Sequence, residues 1–564
     1  MDGMKSGFFL NFYQKIRNNL KSEEIQAFTE SNSNQERFNF AYRVSHVHDR
    51  LKIHRHERGS PLQPDKDEIF FYKDLKCAME MKKVGNKFFQ NQQWMEALNF
   101  YNKSYIMMPK ENSTDISIIF ANRSAVLYHT QQYDAALKEI ERAVDENYPK
   151  DLMYKLKERK ARCLLAKKNH VEALKAFQED VKALDDSSLP HEKKMKLERD
   201  AQIMIKLMQK NLEIEAKTKK SLKTFQVKEA KKDKKEVVDR FICDAVSFEY
   251  TESEGRFAKA GKDIKLGTYL VQEKPHVACL LQIYSQTHCQ TCFKRTNVPI
   301  TCPNCADVIF CSEKCRDEAL KTFHQFDFDF IGSLVYHNLQ FTQFNAHEIS
   351  ELQYKGKGDV GTSTFIGGGL YPTVAFFNHS CDPGVVRYFN GNVIMVRALK
   401  HIPAGEVVAE NYGPIFTQVA REERQAQLMK QYHFKCLCKP CLENWPMFRE
   451  MDDNILRFRC DGHNRTCKNV LLVPLDVNEF MIKCIECGES TNIMKGLKAL
   501  QDTDMIFKAA TRLLEAGDTK NSLGKFVENL DLMDQSLVPP FRSYHLTQQG
   551  IRRCIIEFGN KTFL

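Results

Sequence analysis

Between residues 80 and 186 the apolar positions follow a helical period, and the pattern repeats along the chain. An Ala-Leu pair recurs at residues 97, 136 and 173, at spacings of 39 and 37 residues, and a ring-bearing side chain precedes each pair by three positions. A small residue at a fixed place in each repeat lets the two helices of a hairpin approach closely, and a period in this range is typical of stacked helix pairs. Three such pairs can bury a shared core. We therefore predict an all-α repeat domain over residues 71–186.

The segments that flank this domain carry less information. Residues 1–70 predict a helical segment with no functional signal, and residues 187–238 predict a long charged helix that ends in a linker. Between Lys217 and Lys235 nine lysines face two acidic residues, which is most of the formal net charge of +10. A charge run of this kind is usually a solvated helix face or a linker. A nuclear-import or nucleic-acid patch is the alternative interpretation.

Beyond residue 239 the pattern changes to short strands. Residues 253–275 predict a strand, a turn and a second strand, and Asn390-Gly391 between two β-rich runs predicts a hairpin. Residues 330–364 predict a helix followed by a glycine-bearing linker. From Met494 onward the apolar spacing again indicates helices. The chain as a whole is therefore of the α+β multidomain class.

Length and composition further narrow the class of protein to which the chain can belong. A chain of 564 residues is long enough for roughly three or four domains. No run of about eighteen apolar residues is present, and the apolar patch at Phe8–Phe12 lacks a cleavage site, so we expect no membrane span and no signal peptide. Nineteen cysteines in such a chain favour metal binding over disulfides. We expect a monomer in the cytosol and nucleus.

Three groups of cysteines have spacings that suit zinc, because closely spaced thiolates can share one tetrahedral Zn²⁺. The first group is a series of short pairs followed by a histidine, the second places three cysteines within six residues, and the third is a looser ribbon-like set with His463 as a spare ligand. We expect two to four zinc sites. Their members are Cys289, Cys292, Cys302, Cys305, Cys311, Cys315 and His324; Cys436, Cys438 and Cys441; and Cys460, Cys467, Cys484 and Cys487.

Two further stretches carry candidate chemistry. Asn378-His379-Ser380-Cys381 follows an apolar run, and Glu410-Asn411-Tyr412-Gly413 ends a strand-like run. Together they resemble the paired signature of SET-domain methyltransferases. The resemblance implies that Asn378 and His379 contact S-adenosylmethionine and that Tyr412 orients the accepting amine. It also implies cofactor contacts by the turn Ser253, Glu254 and Gly255 and by Phe434, and a zinc shared by Cys381 with Cys436, Cys438 and Cys441.

The cysteine series between the two halves of this signature resembles a MYND zinc finger, and a split SET domain with a MYND insertion is the mark of the SET-and-MYND (SMYD-type) family. The resemblance implies one zinc on Cys289, Cys292, Cys311 and Cys315, and a second on Cys302, Cys305 and His324. The family's last cysteine is replaced by Phe328. Asp327 or Asp329 is a substitute oxygen ligand, or the second site is weak or empty. MYND fingers of this family bind proline-rich peptides, so a peptide partner is expected here.

The family resemblance divides the chain into segments. The implied segments are the SET domain at 239–288 and 365–415, the MYND finger at 289–328, a linker at 329–364, a post-SET zinc element at 416–445, and a C-terminal region with a possible zinc ribbon and helices at 446–564. Two more positions depart from the family pattern. Ser253 stands where a glycine is frequent, and Gly384 stands where asparagine is usual.

The helical repeat resembles the tetratricopeptide (TPR) repeat. One set of polar side chains falls at matching positions of the three inner helices, and it resembles the clamp that holds the acidic C-terminal tail of heat-shock chaperones. Ammonium, guanidinium and amide donors that converge on a carboxylate form charge-assisted hydrogen bonds. The residues of this predicted clamp are Lys82, Asn86, Asn122, Lys155 and Arg159.

Three functions remain open on the sequence. The first is an S-adenosylmethionine-dependent methyltransferase acting on lysine of a histone or another protein. The second is a SET-fold scaffold that recruits partners without turnover, and the Ser253, Gly384 and Phe328 departures favour it. The third, a DNA-binding zinc protein, is the weakest, because the cysteine groups lack finger-helix spacing and the basic excess lies in a linker.

Overall fold

The computed structural model describes residue 26 and residues 73–221, 240–322, 345–356, 361–462 and 467–563. The chain forms two compact units. One comprises Leu62–Lys235 and Gln282–Gln325, and the other comprises Met1–Pro61, Glu236–Leu281 and Phe326–Leu564. Among the described residues, no helix combines the length and apolar character needed to cross a bilayer.

The first unit begins with three antiparallel helix pairs and a long closing helix. The bounds are α1 Leu75–Gln90, α2 Trp94–Met107, α3 Ser113–His129, α4 Tyr133–Asp145, α5 Met153–Ala166, α6 His170–Asp185 and α7 His191–Ser221. Ala97, Ala136 and Ala173, the small residues of the repeat, are all fully buried. At Gly85 a Cβ would lie 2.7 Å from the Tyr101 ring, so α1 and α2 approach too closely for a larger residue. The predicted helical repeat is confirmed.

The same unit contains the first cysteine group, which packs against the helices. This region has strands β6 Ile300–Thr301 and β7 Ile309–Phe310 and helix α8 Glu313–Thr322. Ile106 of α2 packs against Ala306 and Ile309. The buried Arg123 guanidinium pairs with Glu139 at 2.8 Å and donates to the carbonyl of Pro299 at 3.3 Å. Because a buried charge is costly without partners, these bonds fix the finger on the helical repeat.

A buried carboxyl between α5, α6 and α7 gives a pH-dependent prediction. Burial, with Glu158 nearby, raises the pKa of Asp180 to about 7, and its side chain is only 5% exposed. The folded state therefore holds this proton more tightly than the unfolded state does, and the free energy of unfolding falls as pH rises from about 4 to 7. At 1.36 kcal/mol per pKa unit, Asp180→Asn should stabilise the protein by roughly 3 kcal/mol more at pH 8 than at pH 5. Urea titrations at both pH values measure this difference. The exposed Asp185→Asn variant is the control, and an equal gain at both pH values would contradict the prediction.

The second unit contains the β-rich region. Its strands are β1 Arg240–Ile242, β2 Val246–Thr251, β3 Gly255–Ala260, β4 Tyr269–Glu273, β5 Val277–Leu280, β8 Ala346–Tyr354, β9 Thr362–Leu370, β10 Val385–Asn390 and β11 Val393–Ala398. One sheet has the order β1-β4-β11-β10, and β2 pairs with β3. A second sheet has the order β16-β8-β9-β5, in which β16 is the C-terminal strand Lys561–Phe563. The predicted hairpin at Asn390-Gly391 is confirmed as the antiparallel pair β10–β11.

One prediction within this region is wrong. Residues 346–354, assigned to a linker, form the nine-residue strand β8. Along β8 the polar His347 and Glu351 are buried together with the apolar Ile349, and the register shifts after Ile349. Because buried positions are filled by polar side chains, the strand lacks the apolar alternation by which it would be identified.

The remainder of the second unit is a short helical segment, two small hairpins and a C-terminal helical bundle. The bounds are α9 Arg421–Tyr432, α10 Lys439–Leu442, β12 Ile455–Arg459, β13 Val470–Pro474, β14 Met481–Lys483, β15 Ser490–Asn492, α11 Met494–Glu515, α12 Thr519–Asp534, α13 Arg542–Ile556 and β16 Lys561–Phe563. The helices predicted beyond Met494 are confirmed. Strand β16 returns to the β-rich region and pairs with β8.

Candidate active site and zinc centres

The loop at residues 378–381 lies directly against residues 410–413. The Ser380 N–H donates to the carbonyl of Glu410 at 2.7 Å, and the Glu410 N–H donates to the carbonyl of Asn378 at 2.9 Å. The Asn411 side-chain amide donates to the carbonyl of Ser380 at 3.1 Å. These bonds join two stretches that are distant in sequence, so the candidate residues of both occupy one place.

His379 uses both ring nitrogens, one toward the second stretch and the other toward Cys381 of its own stretch. Its Nδ1 accepts the Tyr412 N–H at 3.0 Å, so the ring proton is on Nε2. Nε2 lies 3.4 Å from the sulfur of Cys381. Burial lowers the pKa of His379 to about 4, which keeps the ring neutral near pH 7. His379 therefore fixes the backbone of Tyr412 and donates to a cysteine sulfur at the same time.

Asn378 reaches the turn between β2 and β3. Its Nδ2 donates to the carbonyl of Glu254 at 3.2 Å. Gly255 in this turn has a φ of +66°, a conformation that favours glycine, while Ser253 is exposed. The structure thus brings the Ser253–Gly255 turn, which sequence analysis assigned to the cofactor, to the side chain of Asn378.

Three rings lie around Tyr412, near the end of the second stretch. The Tyr412 ring centroid lies 4.9 Å from that of Tyr432, 5.4 Å from that of His379 and 6.4 Å from that of Phe434. The Tyr412 hydroxyl donates to the carbonyl of Phe377 at 3.0 Å. Burial, together with the charge of Glu410, raises the pKa of Tyr412, so the hydroxyl stays protonated at neutral pH. Tyr412 and Phe434 were predicted at the site from the sequence motifs, whereas Tyr432 was not.

A buried ion network behind Tyr412 was also missed. The Glu410 carboxylate is 3.0 Å from His347 Nε2 of β8 and 2.6 Å from Arg387 Nη1 of β10. Burial alone would raise the pKa of Glu410, but Arg387 and His347 lower it below its ordinary value. Arg387 also donates to the carbonyl of Asn411 at 3.2 Å. Two separate strands, β8 and β10, therefore set the position of the residues that precede Tyr412.

Replacing Glu410 should weaken the fold around this network. In Glu410→Gln the amide keeps one acceptor but leaves Arg387 without its counter-charge, so we expect a loss of about 2 kcal/mol in the free energy of unfolding. Urea denaturation measures it. The exposed Glu406→Gln variant from the same region is the control and should change stability by less than about 0.5 kcal/mol. Equal stability of the two variants would contradict a structural role for the carboxylate.

The first cysteine group gathers four sulfurs in one place. The ligand atoms of Cys289, Cys292, Cys311 and Cys315 all lie within 4.8 Å of one another, and the Cys292–Cys311 and Cys311–Cys315 distances are 3.6 and 3.7 Å. With Zn–S bonds of about 2.3 Å, a tetrahedral zinc separates its sulfurs by about 3.8 Å, whereas a disulfide needs about 2.05 Å. The spacing is that of a zinc site, and no described cysteine is in a disulfide.

The second predicted site of this finger is described only in part. Cys302 and Cys305 lie within thiol–thiol hydrogen-bond distance, and the Asn304 N–H donates to Cys302 Sγ at 3.4 Å. His324, Asp327, Phe328 and Asp329 lie outside the described residues. The fate of the second site therefore stays a prediction.

Cys381 joins the three clustered cysteines that follow the candidate site. Its ligand atom and those of Cys436, Cys438 and Cys441 lie within 4.8 Å of one another, and the Cys381–Cys441 sulfurs are 3.6 Å apart. The fully buried Arg424 guanidinium lies 3.6 Å from Cys441 Sγ. Four thiolates around Zn²⁺ carry a net charge of −2, which this guanidinium partly offsets. Through His379 this cluster is bonded to the candidate active site.

The predicted ribbon cysteines also meet. Cys460, Cys467, Cys484 and Cys487 form a third set within 4.8 Å. The spare ligand predicted for it, His463, lies outside the described residues.

The residues of the predicted peptide clamp are only partly brought together. Asn86 Oδ1 accepts from Asn122 Nδ2 at 3.2 Å and from the Tyr101 hydroxyl at 2.9 Å. Lys82 pairs with Asp115 at 2.7 Å. Arg159 is directed at the carbonyl of Ala121 and at Ser124 Oγ. Lys155 lies over the Tyr154 ring at 5.8 Å. Asn86 and Asn122 therefore share one face, while the neighbouring cations already have partners.

Comparison with known proteins agrees with these zinc-like geometries. The family model described as MYND finger matches residues 289–327. The chain contains a MYND finger. It is also similar to protein-lysine N-methyltransferase SMYD4 of Homo sapiens, with 27% identity over 311 residues, which is 51% of this chain and 37% of that protein. A 76-residue stretch is 42% identical to histone-lysine N-methyltransferase SMYD3 of Mus musculus and covers 14% of this chain and 17% of that protein.

The resemblance to SET-and-MYND methyltransferases is thus found independently of the motifs. The matched part spans little more than a third of the SMYD4 relative. The first TPR of Spaghetti (RPAP3), solved with an HSP90 peptide, matches with 18% identity over 25% of this chain and 97% of that chain, at a TM-score of 0.20. The finger and the cysteine clusters together establish that this chain binds zinc.

Proposed function

We propose that this protein is an S-adenosylmethionine-dependent protein-lysine N-methyltransferase. The observation that carries the proposal is the double hydrogen bonding of His379, which ties Tyr412 on one side to the Cys381 cluster on the other. This arrangement brings the Tyr412 hydroxyl, the neutral polar loop at residues 378–381 and the aromatic rings beside the cysteine cluster into one site. The named activity of the SMYD4 and SMYD3 relatives supports the same reaction.

The residues present fit the proposed cofactor. Asn378 offers an amide beside the Glu254 carbonyl. Gly255 borders open space, because a Cβ there would have no neighbour within 4 Å, and this space is free for a ligand. Phe434, half-buried beside His379, offers a ring face to a flat base. When bound, the sulfonium cofactor supplies an electrophilic methyl group. Asn378, Glu254 and Phe434 would hold it.

The aromatic group suits the accepting lysine. An ammonium at pH 7 must lose its proton before it can accept a methyl group, which costs roughly 4.6 kcal/mol for an ordinary lysine. Apolar rings around Tyr412 and Tyr432 disfavour the charged form and lower this cost. Tyr412 stays protonated and its hydroxyl donates to the Phe377 carbonyl, so it is not the base; its oxygen can accept an N–H of the neutral amine and so orient the lone pair.

The scaffold alternative rests on departures from the family pattern, and one of these has a local explanation. A Cβ at Gly384 would lie 3.0 Å from Ile402 Cδ1, and the Gly384 N–H donates to the carbonyl of Ala409. Glycine at residue 384 is therefore explained by its close packing against Ile402. It does not change the positions of Asn378, His379 and Tyr412. This favours the enzyme over the scaffold.

We also propose that the helical repeat binds an acidic peptide with a free C-terminus. The adjacent amides of Asn86 and Asn122 are the feature that supports it. Lys82 would have to exchange Asp115 for the peptide carboxylate. The finger's own peptide site is a further proposal, although α2 already covers Ala306 and Ile309. Fluorescence anisotropy with an acidic peptide, and with its C-terminal amide as control, tests the clamp.

The test of the main proposal is calorimetric titration of S-adenosylmethionine into the zinc-loaded protein, followed by transfer of tritiated methyl groups to proteins of a cell extract. Saturable binding and labelled lysine, found after hydrolysis, are the expected results. Binding without transfer would leave the scaffold as the function. Absence of binding to folded, zinc-loaded protein would reject the enzyme.

A further inference from the structure

A third cysteine cluster lies outside both the finger and the candidate site. Cys460 follows β12, Cys467 precedes β13, and Cys484 and Cys487 lie in the turn between β14 and β15. The Cys460–Cys487 sulfurs are 3.6 Å apart, and the Cys467–Cys484 sulfurs are 3.9 Å apart. These distances bracket the separation of about 3.8 Å expected around a tetrahedral zinc. The matched finger ends at residue 327, so these cysteines lie outside it in the sequence.

The groups around the sulfurs are hydrogen-bond donors, which thiolate sulfurs accept. The Gly462 N–H donates to Cys460 Sγ at 3.3 Å, and the Asn469 side-chain amide donates to Cys484 Sγ at 3.3 Å. The Thr491 hydroxyl lies 3.9 Å from Cys460 Sγ and accepts from the Asp461 N–H. Ligand sulfurs are commonly bonded in this way by a second layer of donors.

Two positions next to the cluster require glycine because of the way the backbone passes the sulfurs. A Cβ at Gly462 would lie 2.4 Å from Cys487 Sγ, so only glycine fits between the two hairpins. Gly488, directly after Cys487, has a φ of +75°. This left-handed turn brings the two sulfurs of the Cys484–Cys487 loop to one side.

We propose that Cys460, Cys467, Cys484 and Cys487 hold a structural zinc ion that joins the two hairpins and anchors the C-terminal helices. The hairpins form separate two-stranded sheets, with strands of three to five residues. Isolated hairpins of this size are marginally stable in water. The zinc supplies the link between them, and folding of this region is coupled to metal binding.

The anchoring role follows from what the hairpins touch. Phe458 of β12 is buried against Leu537 and the start of α11, where a Cβ at Gly496 would lie 2.4 Å from its ring. Helix α11 begins at Met494, two residues after β15 ends. The zinc ribbon, defined here as residues 455–492, therefore fixes the first turn of the C-terminal bundle.

The bundle in turn contacts the β-rich region. Beyond α13, Asn560 exchanges side-chain hydrogen bonds of 2.6 and 2.8 Å with the backbone of Gly391. Strand β16 then pairs with β8, the strand that carries His347. Removing the zinc should consequently loosen β8 as well as the ribbon, independently of any methyl transfer.

The first test uses the native full-length protein and a thiol-alkylating reagent with mapping by mass spectrometry. Cys467 should be protected in zinc-loaded protein and should become reactive together with Cys460, Cys484 and Cys487 when a chelator is added. Cys243 is half-buried like Cys467 but outside every cluster, and should react equally in both states. Equal reactivity of Cys467 and Cys243 in the zinc-loaded protein would overturn the proposal.

The second test counts zinc by native mass spectrometry. Cys467→Ala should contain one zinc fewer than the unmodified protein, Cys467→His should recover it because imidazole also ligates zinc, and Cys243→Ala should contain the full number. Amide hydrogen exchange should rise in the ribbon, α11 and β8 of Cys467→Ala and stay unchanged in α1–α6. An unchanged zinc count in folded Cys467→Ala would reject the site. A variant that does not fold leaves the alkylation result to decide.

Discussion

Replacing Tyr412 by phenylalanine should lower the rate of methyl transfer by about 100- to 1000-fold while leaving S-adenosylmethionine affinity within about threefold. The magnitude is that of removing one oriented polar group from a catalytic site. Phenylalanine keeps the ring contacts with Tyr432, His379 and Phe434 and loses only the hydroxyl. The fold should lose about 1 kcal/mol, because one hydrogen bond to the Phe377 carbonyl disappears.

Tyr412→Phe should change the methyl-transfer rate without changing the S-adenosylmethionine affinity, for a structural reason. The hydroxyl of Tyr412 is directed at the Phe377 carbonyl, whereas the groups proposed to hold the cofactor are Asn378, Glu254 and Phe434. An interaction used only to orient the acceptor lowers kcat and leaves ground-state binding alone. The measurement is transfer of tritiated methyl groups at saturating cofactor, with calorimetric titration of S-adenosylmethionine alongside.

Two tyrosines of the same unit serve as controls for Tyr412→Phe. The Tyr432 hydroxyl lies 3.4 Å from the Tyr412 carbonyl, a long contact, so Tyr432→Phe should reduce the rate less than about tenfold. Tyr250 is 70% exposed, and Tyr250→Phe should have no effect. Retention of the full rate by Tyr412→Phe would remove Tyr412 from the reaction and favour a different acceptor geometry.

The parts of the fold that could be predicted from sequence are those whose signal is local or periodic. The Ala-Leu repeat identified the helix pairs because Ala97, Ala136 and Ala173 occupy equivalent, fully buried positions. The cysteine groups were identified because ligands of one zinc are often close in sequence. The Asn390-Gly391 hairpin depends on turn chemistry within a few residues.

The parts that could not be predicted depend on partners from different strands. Glu410 is paired with His347 and Arg387, which come from β8 and β10, and nothing in the neighbouring sequence indicates this. Strand β8 itself was hidden because it buries His347 and Glu351. In the predicted clamp, helical spacing placed Lys82 correctly on its helix but gave no sign of its competing ion pair with Asp115.

Replacing Asn378 by alanine should weaken S-adenosylmethionine binding by about 100-fold. The side-chain amide bonds the Glu254 carbonyl at 3.2 Å, so it both defines the turn before Gly255 and offers its remaining oxygen to a ligand. Its loss leaves a carbonyl without its donor and removes a ligand contact, each worth about 1–2 kcal/mol, and 1.4 kcal/mol corresponds to tenfold in affinity. Calorimetric titration measures the change directly.

The control for Asn378→Ala is Asn454→Ala, an exposed asparagine of the same unit away from the candidate site, which should bind the cofactor as the unmodified protein does. Zinc content should be the same in all three proteins, because Asn378 contacts none of the clustered sulfurs in the described hydrogen bonds, whereas its neighbour His379 does. A normal zinc count with weakened binding would place the cofactor at the Asn378–Glu254 contact. Undiminished binding by Asn378→Ala would move the cofactor elsewhere, and a simultaneous loss of zinc would show that the loop had unfolded with its metal site.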